Sequence, residues 1–371
     1  MSRFQAKKAR RGRLPITGLG PQSMSMSRPR AWTRVRLCKT RMTSSPFKGM
    51  DALAHPIRHD LEALEACLDR LTESRFRQVP EVSRYLIHAG GKRIRPVACF
   101  LACRLFDPPH PGRIYVAAAI ELLHTATLLH DDIVDQATLR RGRPSANARF
   151  GNQLTVLVGD YLLSRATLTL IGLKNFPILE VFAQTAKTMA EGEVLQLGYQ
   201  GLSNLSQKGY LTLIFRKTAS LMGTSTGAAA LLHTSDPKAF KALKAYGVYV
   251  GYAFQIMDDV LDYVARSDGF GKELFKDIKE GKVTLPLLFA LKKAKASERQ
   301  FLESLLAERA VPDGAEQDLL DVLERTKSIS RAKRTAEAFI EKAIHALLPF
   351  EGHPATSSLK ALGRFVSERT R

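Results

Sequence analysis

Residues 114–136, IYVAAAIELLHTATLLHDDIVDQ, restrict the fold more than any other segment. They hold no Gly or Pro, are rich in Ala and Leu, and end in carboxylates. An apolar stretch of about six turns reads as a helix buried on most of its circumference, so other helices must surround it. The rest of the chain supplies them. Leu53, Ile57, Leu61, Leu64 and Leu68 recur at three- and four-residue steps and mark one apolar helical face. Residues 151–171, 178–198, 208–232, 237–265, 284–310 and 314–347 continue in the same manner. Breakers separate these spans: Pro108-Pro109, Gly142 with Pro144, Gly172 to Pro177, Gly201, Asp236-Pro237 and Gly269 to Gly271. No alternating strand pattern of useful length occurs, and no repeat or low-complexity tract. The expectation is an all-α domain, a single large bundle of ten or more helices.

The formal net charge of +20 suggests a nucleic-acid binder until its distribution is read. Residues 1–50 contain 13 Lys or Arg and no acid, which leaves +7 for the other 321 residues. That part has no basic face interleaved with aromatics, so nucleic acid is not an expected partner. A modest positive excess suits a protein that handles anionic small molecules. Residues 1–48 are set apart as a basic leader and residues 49–371 as the folded domain. The leader resembles an organellar transit peptide; a flexible tail or a start codon read too early are the other readings, with Met24, Met26, Met42 and Met50 as later starts. It has no apolar core of the secretory type. No uninterrupted apolar run reaches membrane-spanning length; the longest, Leu154 to Leu163, is broken at Asp160. Four cysteines are too few for a disulfide scaffold, and Cys99 and Cys103 read as small buried residues.

Two carboxylate clusters carry the chemistry. Asp131, Asp132 and Asp135 match Asp258, Asp259 and Asp262, both as D-D-x-x-D after an apolar stretch. On a helix, positions i and i+4 share a face, so each cluster aims two or three carboxylates at one point. Acids crowded against apolar surface raise each other's pKa, and a hard divalent cation relieves the conflict. All-oxygen ligands favour Mg²⁺ over Zn²⁺, and Mg²⁺ so held keeps positions for phosphate. The second signal is cationic. Gly90-Gly91-Lys92-Arg93-Ile94-Arg95-Pro96 puts three cations on a glycine-flanked turn, and Arg140-Arg141-Gly142-Arg143 follows the first acid cluster. Lys217-Thr218, Lys272 and Lys282 lie near the later elements; for Lys272 or Lys282 taken singly, scattered surface charge is the plainer alternative. Separate acidic and basic clusters imply two phosphorylated ligands, one metal-bridged and one held by cations alone.

These motifs resemble the trans-prenyltransferases that build polyprenyl diphosphates. The resemblance rests on GGKRIRP, HTATLLHDDIVD followed by LRRGRPSAN, GDYLLSRA, KTASLM, YAFQIMDDVLDY and GK-x4-D-x3-GKVTLPL, and covers about residues 80–290. It implies the isoprenoid synthase fold, a helical bundle around a central cavity. It also implies three Mg²⁺ ions per active site, bridging an allylic diphosphate to Asp131, Asp132, Asp135 and Asp258, with Asp259 and Asp262 completing the second cluster. Arg140, Lys217, Thr218, Gln255, Lys272 and Lys282 would hold that diphosphate. Isopentenyl diphosphate would sit against Lys92, Arg95, His124 and Arg141. Phe254 could face the carbocation with its ring, or simply fill the core. Asp160, which interrupts an apolar helix, would help shape the site.

Within that family the chain is most similar to bacterial octaprenyl diphosphate synthases of quinone synthesis. The growing tail should pass Ala126 and Thr127, one turn below Asp131, then Ala117-Ala118-Ala119. Short-chain members place an aromatic ring at one of the first two positions, and this chain has none there. Expected substrates are farnesyl and isopentenyl diphosphates. The expected assembly is a homodimer in the bacterial cytoplasm, with peripheral membrane contact for product release; a mitochondrial location follows if the leader is a transit peptide. A geranylgeranyl diphosphate synthase and a non-catalytic partner subunit are the alternatives. The loop after Lys272 reads Glu273-Leu274-Phe275, where many bacterial relatives have Pro and Gly.

Overall fold

A computed structural model describes residues 51–201, 203–264 and 274–369. The leader therefore lies outside the described residues, as does Lys272. The helices that bear on the site and its packing are α1 (Arg58–Leu71), α2 (Ile94–Cys103), α3 (Arg113–Val134), α4 (Asn152–Gly172), α5 (Phe176–Tyr199), α6 (Gln207–Ile214), α7 (Ser220–His233), α8 (Pro237–Val264), α9 (Leu285–Lys293), α10 (Ser328–Ala346) and α11 (Pro354–Ser367); Gln78–Ile87, Ala296–Glu308 and Ala315–Arg325 are helical as well. The only strands among the described residues are β1 (Leu139–Arg140) and β2 (Arg143–Pro144), a two-residue antiparallel pair. The all-α expectation holds.

The 114–136 segment is α3, and its alanines explain its place. Ala117, Ala118 and Ala119 are fully buried, so α1, α2 and α4 can approach its axis closely. Helix α7 is buried over most of its length and forms the second inner helix. It lies unusually close to α8. A Cβ on Gly247 would come within 2.4 Å of the Met222 carbonyl oxygen, and one on Gly251 within 2.5 Å of the Ala219 Cα. Bare glycines at these positions let the two backbones touch. The cysteines Cys67, Cys99 and Cys103 are buried thiols, as their packing role requires.

Four expectations need correction. The span 208–232 is not one α-helix: residues Phe215–Ala219 form a π-helical turn between α6 and α7. The span 284–310 divides after α9, where Ala294 and Lys295 are extended, and 314–347 divides at Lys327, which is left-handed. Neither break contains Gly or Pro. Third, helix α4 passes through Asp160 without interruption, because a mid-helix Asp can point to solvent and Asp160 does. Fourth, α4 is long and apolar enough to cross a membrane by length and composition, although only 33% of its most apolar window is buried. Counting uninterrupted apolar residues concealed this, since Asp160 and Arg165 punctuate the helix. One face of α4 has protein partners: Arg165 Nε donates to the Leu71 carbonyl and the Tyr161 hydroxyl to that of Glu73, from positions one turn apart.

Candidate active site

The first cluster sits at the C-terminal end of α3, with Asp135 as its cap. Asp132 is fully buried; its Oδ1 accepts from Arg140 Nε at 2.5 Å, and its Oδ2 has no hydrogen-bond partner. Burial pushes the Asp131 carboxyl up to about 7, against the pull of Lys217. Asp135 Oδ2 accepts from Lys282 Nζ at 3.0 Å. Lys282 also pairs with Glu280; burial would lower its pKa, but Glu280 and Asp135 prevail and raise it.

The second cluster, on α8, divides its labour. The Tyr210 hydroxyl of α6 donates to Asp259 Oδ2 at 2.6 Å, and Gln255 Nε2 donates to Oδ1 at 2.9 Å. Thr218 Oγ1 in turn donates to Gln255 Oε1 at 2.7 Å. Burial pushes the Asp259 carboxyl up to about 7, while these hydrogen bonds hold it down. Asp262 accepts from the backbone amides of Lys276 and Asp277 at 3.2 and 3.1 Å. It thereby fixes the start of the Lys276–Lys279 turn. Asp258 faces the cavity, where it meets the guanidinium of Arg369. Asp259 and Asp262 are thus already engaged as scaffold. Asp132 Oδ2 is buried without a partner, Asp258 is paired with Arg369, and neither Asp131 nor Asp132 is among the residues lining the two cavities described next.

A cavity of about 800 Å³ unites acidic and basic groups. Asp135, Asp258, Asp259 and Asp262 line it together with Lys92, Arg95, Arg141, His124, Phe254 and Gln255. Its basic side is shaped locally. Arg141 and Gly142 take positive φ values of 52° and 73° at the tip of the β1–β2 hairpin, the geometry of a two-residue turn. This turn sends Arg141 to the cavity and Arg140 back to Asp132. Burial, and then the charges of Arg95, Arg141, Arg140 and Arg93, press the His124 pKa well down, so the ring is neutral. A second cavity, about 110 Å³, is lined by Lys217, Lys282, Gln255 and Asp259. Lys217 reaches it from the π-helical turn and donates to Glu193 and Gln196 at 2.9 and 3.2 Å. Gly192 admits that turn: a Cβ there would lie 2.9 Å from Arg216 Cβ.

Ala126 is buried and Thr127 half-buried on α3, and neither is among the residues lining these two cavities. Asp160 lies away from both, 3.4 Å from His130. Sequence reasoning gave no role to Glu121, Tyr210 or Arg369. Glu121 was detectable, as a lone acid one turn before His124 in an apolar helix. Tyr210 and Arg369 carry no comparable signal; they reach the second cluster from 49 and 111 residues away.

The donor set fits Mg²⁺ of a particular kind. Among the described residues no three His, Cys, Asp or Glu side chains converge to hold a metal alone. The unpartnered Asp132 Oδ2 and the raised Asp131 pKa nevertheless mark a place where a cation would relieve strain. Mg²⁺ characteristically takes one or two carboxylates and completes its shell with water and substrate phosphate.

A profile of the polyprenyl synthetase family matches residues 77–323. The chain belongs to that family. It is 36% identical over 316 residues to octaprenyl diphosphate synthase of Escherichia coli, covering 84% of this chain and 96% of that one. It is 38% identical over 303 residues to the geranyl-diphosphate-specific all-trans-nonaprenyl-diphosphate synthase of Rhodobacter capsulatus, covering 80% and 90%. The polyprenyl synthase of Caulobacter crescentus, solved with calcium and isoprenyl diphosphate, superposes with a TM-score of 0.83 at 34% identity, covering 87% and 98%. The fold is therefore the all-α fold of the isoprenyl synthases. The chain is a prenyltransferase, a trans-prenyl diphosphate synthase of the long-chain kind.

Proposed function

We propose that the chain extends an allylic diphosphate, farnesyl diphosphate in the first instance, with successive isopentenyl diphosphates to an octaprenyl product, in a Mg²⁺-dependent reaction. The observation that carries this reading is the single cavity whose lining joins three aspartates of the second cluster to the Lys92, Arg95 and Arg141 cations. The Caulobacter relative supports it, having been solved with a divalent cation and an isoprenyl diphosphate.

Bound Mg²⁺, about three ions, would neutralise the departing pyrophosphate, held by Asp131, Asp132 and Asp258. Lys217 and Arg140 add positive charge beside it and share the developing anion. The allylic C–O bond breaks, and the electron pair leaves with pyrophosphate. Phe254, on the cavity wall, would face the carbocation once the Arg369 guanidinium, 4.2 Å from its ring centroid, moves aside. Lys92, Arg95 and Arg141 hold isopentenyl diphosphate without metal, and neutral His124 donates a hydrogen bond rather than a charge. The double bond attacks the cation, and the proton then lost goes to pyrophosphate. The long product follows from small residues at Ala126 and Thr127, past which the tail would thread once the core opens.

We further propose a homodimer. Helices α4 and α5 leave apolar side chains in solvent: Leu157 and Leu168 at 65% and 57% exposure, Val194 and Leu197 at 71% and 50%. A second copy of the same face would cover them.

The metal reading is tested by chelation and mutation. EDTA should abolish turnover, and Asp131→Ala or Asp258→Ala should lower kcat by at least about a hundredfold, the scale of losing one preorganised electrostatic element. Full activity in either variant would sink the assignment.

A further inference from the structure

The segment Gly90–Pro96, a loop that enters α2 at Ile94, carries three cations, and one of them is consumed inside the protein. Arg93 adopts a left-handed φ of 46°, and its side chain is 7% exposed. Its Nε and Nη2 donate to the two carboxylate oxygens of Glu65 on α1, at 2.8 and 3.2 Å. Its Nη1 donates to Glu121 Oε1 on α3 at 2.8 Å, and Nη2 also to the Ile87 carbonyl at 2.9 Å. All three guanidinium nitrogens are thus used. The neighbouring cations differ. Arg95 Nε is buried without a partner. The Arg141 guanidinium lies against the bare Cα of Gly91, where a Cβ would stand 3.1 Å from Nη1. Glu121 lines the same cavity as Arg95 and Arg141 and is the foremost opposite charge acting on each.

We infer that Arg93 is a positioning residue: it occupies Glu121 and Glu65 so that Arg95 and Arg141 stay available to a diphosphate. The inference rests on reading this cavity as the metal-free isopentenyl diphosphate site. A buried carboxylate left unpaired is costly and takes the nearest cation. Without Arg93, Glu121 would turn to Arg95 or Arg141, and an arginine forked onto a carboxylate cannot fork onto a phosphate. A purely structural Arg93 would instead lower stability with no selective effect on one substrate.

Steady-state kinetics on the full chain, with each substrate varied in turn, separate these possibilities. R93M should raise the KM for isopentenyl diphosphate about tenfold, equivalent to about 1.4 kcal/mol, and change that for the allylic diphosphate less than about twofold. Adding E121Q to R93M should bring the first KM back to within about threefold of wild type, since a neutral amide no longer captures the arginines. R93K, whose ammonium cannot hold both carboxylates, should raise that KM about threefold, again reversed by E121Q. This second pair carries the test should R93M fail to fold in a thermal melt. A double variant no better than its single variant, or equal rises in both KM values, overturns the inference. R95A is the control on the underlying reading. If R95A leaves the isopentenyl diphosphate KM unchanged, the site assignment is wrong. If R95A raises it and the Arg93 variants do not, only the role of Arg93 is wrong.

Discussion

Tyr210→Phe removes one oxygen and should shift the pH at which the second cluster works. The Tyr210 hydroxyl is buried and donates to Asp259 Oδ2 at 2.6 Å. Burial holds the Asp259 carboxyl at about 7, with Tyr210 and Gln255 opposing that rise and Asp258 and Asp262 adding to it. A hydrogen bond to a charged group contributes about 1.5–3 kcal/mol, and one pKa unit corresponds to about 1.4 kcal/mol. Removing the donor should therefore raise the Asp259 pKa by about one to two units. The sign follows: the protonated acid becomes the commoner form near neutral pH, and a proton on the cluster competes with a cation. The assay is kcat/KM against pH at limiting Mg²⁺. The acid limb should move up by about one unit or more, with activity near pH 7 reduced about tenfold and recovered at high pH or saturating metal. A uniform loss at every pH, with the limb unmoved, would refute the reasoning and leave the hydroxyl a packing group.

Three further outcomes are expected. His124→Gln, which keeps a neutral donor, should bind isopentenyl diphosphate within about threefold of wild type while His124→Ala weakens it more, because the ring is neutral in the folded protein; equal losses in titrations of the two variants would count against this. Ala126→Tyr should shorten the main product to about three or four isoprene units without abolishing turnover, since the ring fills space and removes no catalytic group; an unchanged product on reversed-phase chromatography would show that Ala126 does not line the tail's path. Leu157→Lys with Val194→Lys should halve the molar mass seen in sedimentation, as two charges enter the exposed apolar face; an unchanged mass would place the dimer face elsewhere.

Legibility in the sequence followed the range of the interactions. Both aspartate clusters could be read because i, i+1 and i+4 spacing is a local property of a helix. The inward turn of Arg93 could not, because its partners Glu65 and Glu121 each lie 28 residues away. Adjacency groups it with Lys92 and Arg95, and tertiary pairing separates it from them. No Gly or Pro marks the helix breaks at Lys327 and Ala294, so the sequence pattern runs through them. The π-helical turn at Phe215–Ala219 was equally hidden; close contact with Gly192 and Gly251 on neighbouring helices accompanies it. The fold class survived these misses because it depends on the apolar face of every helix and not on any one boundary.

The central claim is that one cavity joins a metal-bridged allylic diphosphate to a metal-free isopentenyl diphosphate and repeats the step to a long product. Incubating the purified chain with farnesyl diphosphate, labelled isopentenyl diphosphate and Mg²⁺, then sizing the dephosphorylated product, tests it directly. The account predicts an all-trans product of about eight isoprene units. A product that stops at four units would contradict the long-chain reading, and no labelled product from the chain alone would contradict catalysis by this site.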